Sequence, residues 1–228
     1  MEGEIRTAAE ALRQLHEEDP WFSYPDAVDL LSTLHASEGP ALVTALHDPS
    51  AKIRAAVARA LGAYPIPEAR AGLLQALHDP AADVRRAAIG GLSTWDDPEV
   101  VAALRDLLTD DPDFYTRLAA IQGLAGRPDA GAAEALTHLL AAAPADDPML
   151  LGMAAEALAG FGGALARDPL VALLDHPAAA IRQKAVEGLA TLGDAATAAP
   201  LRAYAARESD AYLAGMAQRV ASDLESGP

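Results

Sequence analysis

The sequence predicts an all-α protein, an α-solenoid of stacked helical hairpins, and three observations support this. The segment ALHDPSAKIRAAVARALG at residues 45–62 is nearly repeated as ALHDPAADVRRAAIGGLS at residues 76–93. Hydrophobic residues make up 51% of the chain and aromatic residues only 4%, so the core must consist of Ala, Leu, Val and Ile. Because Ala is the strongest helix former and β-branched runs are scarce, helices are favoured over strands.

The repeat extends through most of the chain with a period of 31 to 34 residues. Thirteen residues before the first three register leucines stands an Asp-Pro pair, at residues 48–49, 79–80 and 111–112. Periods of 20–50 residues are typical of stacked repeat architectures. The register is set near the end of each second helix by Leu61, Leu92, Leu124, Leu158, Leu189 and Val220.

Each repeat is predicted to form two helices. The Asp is expected to cap the second helix, with the Pro in its first turn, where a missing N–H costs nothing. Glycines near the helix ends favour left-handed caps. One hairpin cannot bury its apolar face alone, so neighbouring repeats must stack to build a common core. The glycines expected at these ends are Gly62, Gly126, Gly162 and Gly193.

One basic residue recurs inside the otherwise apolar second helix, six positions after the Asp. A residue that repeats in register with core positions is expected to be partly buried, and a buried Arg needs acceptors for its five donors. Carboxylates of the same or the adjacent repeat can supply them. We predict a ladder of Asp and Arg residues that holds the repeats in register. It comprises Asp48, Arg54, Asp79, Arg85, Asp111, Arg117 and Arg182.

The Asp-Pro, Ile/Val-Arg, Ala and Leu-Gly pattern resembles HEAT-like repeats, specifically the short variety described in phycobilisome-lyase proteins. The resemblance covers residues 40 to about 222. It implies a right-handed superhelix of about six to seven hairpins, with the second helices lining the concave side. The fourth repeat departs from the pattern, since Gly152 or Met153 stands where Arg is expected.

We predict a single domain over residues 1–228. Residues 1–38 would form a degenerate N-terminal capping hairpin, residues 40–203 the clear repeats, and residues 204–228 a C-terminal capping helix. Within the first segment, Trp21, Phe22 and Tyr24 fall in the loop PWFSYP at residues 20–25. This aromatic loop either covers the open end of the core or forms a partner-binding edge.

Composition and charge exclude several classes of protein. The chain has no cysteine, which excludes disulfides, zinc–thiolate sites and cysteine nucleophiles. Its net charge of −16 disfavours binding to nucleic acid or to anionic membranes. The start MEGEIRTAAEALRQL lacks the pattern of a signal peptide, and no run approaches the roughly 18 apolar residues of a membrane span. We therefore expect a cytoplasmic protein away from membranes, and we expect it to be a monomer.

The sequence contains no arrangement of residues typical of an active site. The HExxH, P-loop, GxSxG and dinucleotide-binding motifs are absent. His47, His78 and His176 each adjoin an Asp, but these pairs recur with the repeat. We interpret them as caps at the C-terminal ends of first helices, where a cation is favourable. We predict no catalytic residue, no metal site and no cofactor.

The second helices are predicted to present a binding surface on their inner side. Residues four, seven and eleven positions after the Asp escape the core pattern. In the third and fourth repeats several of them are apolar, which favours a site for a helix or an extended peptide. The residues predicted to contact this partner are Arg59, Arg86, Tyr115, Leu118, Gln122, Met149 and Glu156.

These observations favour a non-enzymatic scaffold that binds a protein or peptide partner on its concave face. Two alternatives stay open. One is a bilin-lyase-like protein that handles a chromophore, because related repeats occur in bilin lyases. The other is a HEAT-like nucleic-acid-binding protein, which would need a cationic groove because phosphate contacts carry most of the affinity.

Overall fold

The computed structural model describes residues 39–142 and 148–226. These two ranges contain twelve α-helices and no β-strand, which confirms the all-α prediction. Two short 3-10 helices lie at Leu92–Thr94 and Ala195–Thr197. The α-helices are α1 (Gly39–Ala45), α2 (Ala51–Leu61), α3 (Pro67–Ala76), α4 (Ala82–Gly91), α5 (Pro98–Asp110), α6 (Phe114–Ala125), α7 (Ala130–Ala142), α8 (Pro148–Gly160), α9 (Gly163–Leu173), α10 (Ala179–Leu192), α11 (Ala198–Ala205) and α12 (Ala211–Ser226).

Odd-numbered helices are the first helices of six hairpins, and even-numbered helices are the second helices. The third and seventh residues of each second helix are buried, and so is the eleventh, which after the ten-residue α4 is Leu92 of the 3-10 helix, because these positions lie on one face of a helix. In α2 these residues are Ile53, Val57 and Leu61. In α12 the eleventh residue is Ala221, so the position predicted for Val220 is wrong by one residue.

The chain divides into two compact units. Of the described residues, the first unit comprises 39–103 and 111–119 and the second comprises 104–110 and 120–226. In the first unit, α2 packs along α4 and α1 packs against α3. In the second unit, α8, α10 and α12 pack side by side and α7 packs against α9. The single domain expected over residues 1–228 stays a prediction, since its N-terminal cap lies outside the described residues.

The glycines predicted as left-handed caps serve different purposes. Gly193 has φ 66° and ends α10 in the left-handed conformation, as expected. Gly162 has φ 71° but precedes α9 as its N-cap residue. Gly62 has φ −59°, so its predicted left-handed conformation is wrong. A Cβ atom on Gly62 would lie 3.0 Å from the Cα atom of Gly91, so this position needs glycine because α2 and α4 approach closely.

The Asp of each Asp-Pro pair lies outside the helix that it was predicted to cap. The N-cap residue of α2 is Ser50, and no side chain caps this helix. The carboxylate of Asp48 instead accepts a hydrogen bond from the N–H of Ser50 at 2.8 Å. Asp79 accepts one from Ala81 at the same distance. The Asp therefore shapes the turn before the helix, and its two carboxylate oxygens can still accept hydrogen bonds from another partner.

That other partner is the Arg of the preceding repeat. Arg54 donates from Nε and Nη2 to the two carboxylate oxygens of Asp79, at 2.7 and 2.8 Å. Arg85 makes the same two bonds with Asp111, at 2.7 and 2.8 Å. The remaining Nη1 of Arg85 donates to the carbonyl oxygen of Asp79 in its own repeat at 2.8 Å. Each Arg thus joins the turn before its own helix to the turn of the following repeat.

The last repeat uses a glutamate in place of the Asp. Arg182 donates to both carboxylate oxygens of Glu208, at 2.7 and 3.1 Å, and the hydroxyl of Tyr204 donates to the same carboxylate at 2.5 Å. Glu208 was not predicted, although it follows Arg182 by 26 residues, as Asp111 follows Arg85. Arg117 donates to the carbonyl oxygen of Asp111 at 2.8 Å. Residues 143–147, among which an acid of the following repeat would stand, lie outside the described residues.

The ladder is interrupted between α8 and α10. The fourth residue of a second helix carries the Arg, and in α8 this residue is the fully buried Leu151. Gly152 or Met153 was expected at the Arg position, whereas the residue at this position lies one or two residues earlier in the chain. In the following repeat His176 takes the place of the acid, and its Nδ1 accepts a hydrogen bond from the N–H of Ala178 at 3.1 Å. Because Leu151 replaces the Arg and His176 replaces the acid, neither a guanidinium nor a carboxylate is buried here without its partner.

Hydrogen bonds from the Arg residues stabilise the charged forms of the carboxylates. Burial alone would raise the pKa of Asp79, but hydrogen bonds from Arg54 and from the N–H of Ala81 lower this pKa below its ordinary value. The hydrogen bond from Arg182 is the largest cause that lowers the pKa of Glu208, to about 2. Burial and the hydrogen bond to Glu208 raise the pKa of Tyr204 to about 12.

We predict that Arg85→Ala lowers the free energy of unfolding by about 3 kcal/mol, because it leaves the buried carboxylate of Asp111 without its cation. Chemical denaturation of both proteins measures this difference. Arg86→Ala is the matched control, since the adjacent Arg86 side chain is 30% exposed and its ion pairs are partly solvated. We expect the control to cost less than about 1 kcal/mol. An unchanged denaturation midpoint for Arg85→Ala would contradict a structural role for the ladder.

We predict that the contribution of Glu208 to stability depends on pH. The pKa of Glu208 lies below its ordinary value in the folded chain, so the contribution is fully present above the unfolded pKa of about 4.5 and is lost as the pH falls towards 2. At pH 6, Glu208→Gln is expected to lower the free energy of unfolding by about 2 kcal/mol, the typical value of hydrogen bonds to a charged group. Urea denaturation of both proteins between pH 6 and pH 3 measures the difference, which should shrink with the pH. A difference that stays constant over this pH range would contradict the assignment of ionised Glu208 as the stabilising partner of Arg182.

Candidate partner-binding surface

The second and ninth residues of the second helices face solvent. They lie 20° apart around the helix axis, because seven residues turn it by 700°. The second residues are Lys52, Asp83, Tyr115, Met149, Ala180 and Tyr212, of which only Ala180 is half-buried. The ninth residues are Arg59, Gly90, Gln122, Glu156, Glu187 and Arg219, of which only Glu187 is half-buried.

Large apolar side chains are exposed mostly at the second position. Tyr115 is 62% exposed, Met149 is 56% exposed and Tyr212 is 63% exposed. The one other large hydrophobic side chain with comparable exposure among the described residues is Leu165, on the first helix α9, at 37%. Scattered exposed apolar residues are ordinary, but three at one repeat position indicate a surface with a common orientation.

The fifth residue of the second helix does not belong to this surface in every repeat. Leu118 is 5% exposed and Ala55 is 2% exposed, so the prediction that Leu118 contacts a partner is wrong. The fifth residue lies 60° around the helix from the second, towards a flank where neighbouring elements pack. Arg86 and Gly152 at the equivalent positions are half-buried. Exposure at the fifth position therefore depends on the neighbours of each helix.

In the first unit, Tyr115 lies beside a cation and a second ring. The guanidinium carbon of Arg86 lies 5.9 Å from the centroid of the Tyr115 ring, and Phe114 meets this ring edge-on at 5.3 Å between centroids. Arg86 is held in turn by two carboxylates. Its Nη1 donates a hydrogen bond to Asp113 at 2.6 Å, and its Nη2 donates one to Asp83. These contacts leave most of the Tyr115 ring exposed while restricting its orientation. Arg59, also predicted to contact a partner, is exposed on α2.

In the second unit, α8 and α10 border an open depression of about 380 Å³. Met149 and Met153 line it on α8, together with Glu156. Lys184 lines it on α10 and pairs with Glu187 at 2.6 Å between Nζ and Oε2. Glu156 forms no ion pair with any described residue. The depression thus combines two flexible thioether side chains with one exposed carboxylate.

Of the remaining residues predicted to contact a partner, the structure describes only Gln122. Gln122 is exposed on α6. Trp21, Phe22 and Tyr24 lie outside the described residues, so both interpretations of the aromatic loop stay predictions. No group of three His, Asp or Glu side chains that could hold a metal ion occurs within the ranges 39–142 and 148–226.

Over the same ranges, none of the α-helices has the length and apolar character that crossing a membrane requires.

Solved structures that superpose on this chain have low sequence identity to it. The Escherichia coli protein YIBA superposes with a TM-score of 0.57 at 17% identity, and the match covers 96% of both chains. A structure of the complex of CpcE and CpcF of phycocyanin lyase from Nostoc gives a TM-score of 0.52 at 22% identity, covering 95% of this chain and 86% of that one. Human deoxyhypusine hydroxylase gives 0.47 at 22% identity, covering 97% of this chain and 84% of that one.

No curated protein sequence matches this chain. The family model of HEAT repeats does match, over residues 39–125 and 134–221. These two segments contain most of the residues of the described hairpins, and they make up well over half of the chain. The chain therefore belongs to the HEAT-repeat family, and its described residues form HEAT-repeat hairpins of an α-solenoid.

Proposed function

We propose that this chain is a non-enzymatic, cytoplasmic scaffold that binds a protein or peptide partner through the second helices of its repeats. The observation that carries this proposal is the exposure of Tyr115, Met149 and Tyr212 at one repeat position. Tyrosine supplies a large, rigid contact area at low entropic cost, and methionine adapts to partners of different shape. Partner binding accounts for these exposed side chains, whereas packing of the core does not.

The two alternative functions have less support. A nucleic-acid-binding surface would need a cationic groove, and this chain has a net charge of −16 with several Arg residues engaged by ladder carboxylates. A chromophore-handling function has in its favour the fold shared with the phycocyanin lyase complex, and similarity at 22% identity supports the fold alone. The partner that we favour is therefore a protein or peptide.

We predict that two substitutions on α6 differ strongly in their effect on stability. Tyr115→Ala should change the melting temperature by less than about 2 °C, because the ring is 62% exposed. Leu118→Ala should lower the free energy of unfolding by about 3 kcal/mol, because it leaves a cavity at a side chain that is only 5% exposed. Thermal and chemical denaturation measure both effects. Equal destabilisation by the two substitutions would show that Tyr115 belongs to the core.

Partner binding itself can be tested with the full chain as bait. The immobilised chain is exposed to lysate of its source organism, and captured proteins are compared with those held by Tyr115→Ala and by Met149→Ala. We expect at least one of these variants to capture about tenfold less of a specific partner than the unsubstituted chain does. Leu165→Ala is the matched control, since it removes an exposed apolar side chain from a first helix. Equal capture by all four proteins would contradict binding through the second helices.

A further inference from the structure

The methionines of this chain are concentrated on one surface of the second unit. Three of the four methionines of the sequence are Met149, Met153 and Met216, and all three lie on second helices. Met149 is the second residue of α8, and Met153 and Met216 are the sixth residues of α8 and α12. Met149 is exposed and the other two are half-buried. We refer to these three residues and Tyr212 as the methionine surface.

The two helices that carry this surface, α8 and α12, are both neighbours of α10. The helix α10 packs against α8 on one side and against α12 on the other. Neighbouring second helices lie about 10 Å apart, so three of them span about 20 Å between the outer axes. A helix of about 13 residues has this length at 1.5 Å per residue. The surface therefore has the dimensions of a short helix laid across α8, α10 and α12.

Charges at the ninth positions differ between the two ends of this surface. Glu156 on α8 is exposed and forms no ion pair with any residue that the structure describes. On α10, Glu187 is already neutralised by Lys184 and accepts a hydrogen bond from Gln183 at 2.8 Å. Arg219 on α12 is exposed and carries the opposite charge. A complementary partner needs a cation over α8 and an anion over α12.

We propose that the methionine surface binds an amphipathic helix with long aliphatic side chains on one face, a Lys or Arg at one end and an Asp or Glu at the other. This proposal rests on the proposed function and specifies the partner and the unit that holds it. Methionine-rich surfaces accommodate aliphatic side chains of varied shape because thioethers are flexible and polarisable. An amphipathic helix would cover Met149 and Tyr212, the two most exposed side chains of this surface.

Methyl NMR of the full chain tests this proposal directly. The methionines carry a 13C label at the ε-methyl group, and single Met→Leu variants assign the four signals. The probe is a 14-residue peptide of Leu, Lys and Glu with one apolar helical face, Lys at one end, Glu at the other and no net charge. A peptide of the same composition in scrambled order is the control. We expect the amphipathic peptide to shift the signals of Met149, Met153 and Met216 and the scrambled peptide to leave them unchanged.

A matched pair of variants separates this surface from others. Met153→Glu places a charge in the methionine surface and should weaken peptide binding by about tenfold or more, while Leu165→Glu on α9 should not weaken it. Thermal denaturation verifies that both variants remain folded. If Met153→Glu unfolds the chain, Met149→Glu replaces it, because Met149 is 56% exposed.

Three outcomes would overturn this inference without contradicting the proposed function. In the first, the peptide binds, Tyr115→Ala abolishes the binding and the three methyl signals do not shift, which would assign the partner to the first unit. In the second, millimolar peptide shifts no methyl signal while the full chain still captures a partner that depends on Tyr115. In the third, the scrambled peptide shifts the signals equally, which would contradict recognition of an amphipathic helix. Failure of the proposed function is a separate result, namely equal capture of partners by the chain and all of its surface variants.

Discussion

The bidentate bond between the Arg of one repeat and the carboxylate of the next is the interaction on which the described hairpins depend. It is charge-assisted and directional, so it specifies the position of each turn relative to its neighbour more narrowly than the contact of Leu and Ala side chains can. The same Asp also accepts the N–H of the residue two positions later, as Asp79 does from Ala81. One carboxylate therefore shapes its own turn and links it to the preceding hairpin.

The interruption at Leu151 and His176 shows how strongly the two partners constrain each other. A buried Arg without its carboxylate, or the reverse, would cost several kcal/mol, whereas an apolar pair of similar size costs little. Within this one chain the Arg and the acid have been replaced in the same step. The Nδ1 of His176 still accepts the N–H of Ala178, so the turn keeps its shape, and its Nε2 donates to the carbonyl oxygen of Ala141 on α7 of the preceding repeat at 3.1 Å. His176 therefore shapes its own turn and links it to the preceding hairpin, with one hydrogen bond in place of the bidentate ion pair.

The surface available for binding follows from this arrangement. Because the third, seventh and eleventh residues of a second helix face the core, the second and ninth must face solvent, and these positions are free to vary between repeats. In the first unit Tyr115 is oriented by Arg86, which Asp113 holds. In the second unit Met149 and Tyr212 occupy the second position, and Met153 and Met216 lie at the sixth. The scaffold is uniform and the exposed positions differ, which is the property expected of a repeat protein that recognises a partner.

The sequence alone determined the all-α class, the register of the first five repeats and the Arg and Asp residues of the ladder, though not Glu208, because each of these depends on spacing along the chain. It also placed Tyr115 and Met149 on the exposed surface, since exposure at the second position follows from helical geometry. Tertiary structure decided the burial of Leu118, the partner of each Arg and the role of Gly62. These depend on which atoms of a neighbouring helix fill the space beside a residue, and spacing within one helix carries no such information.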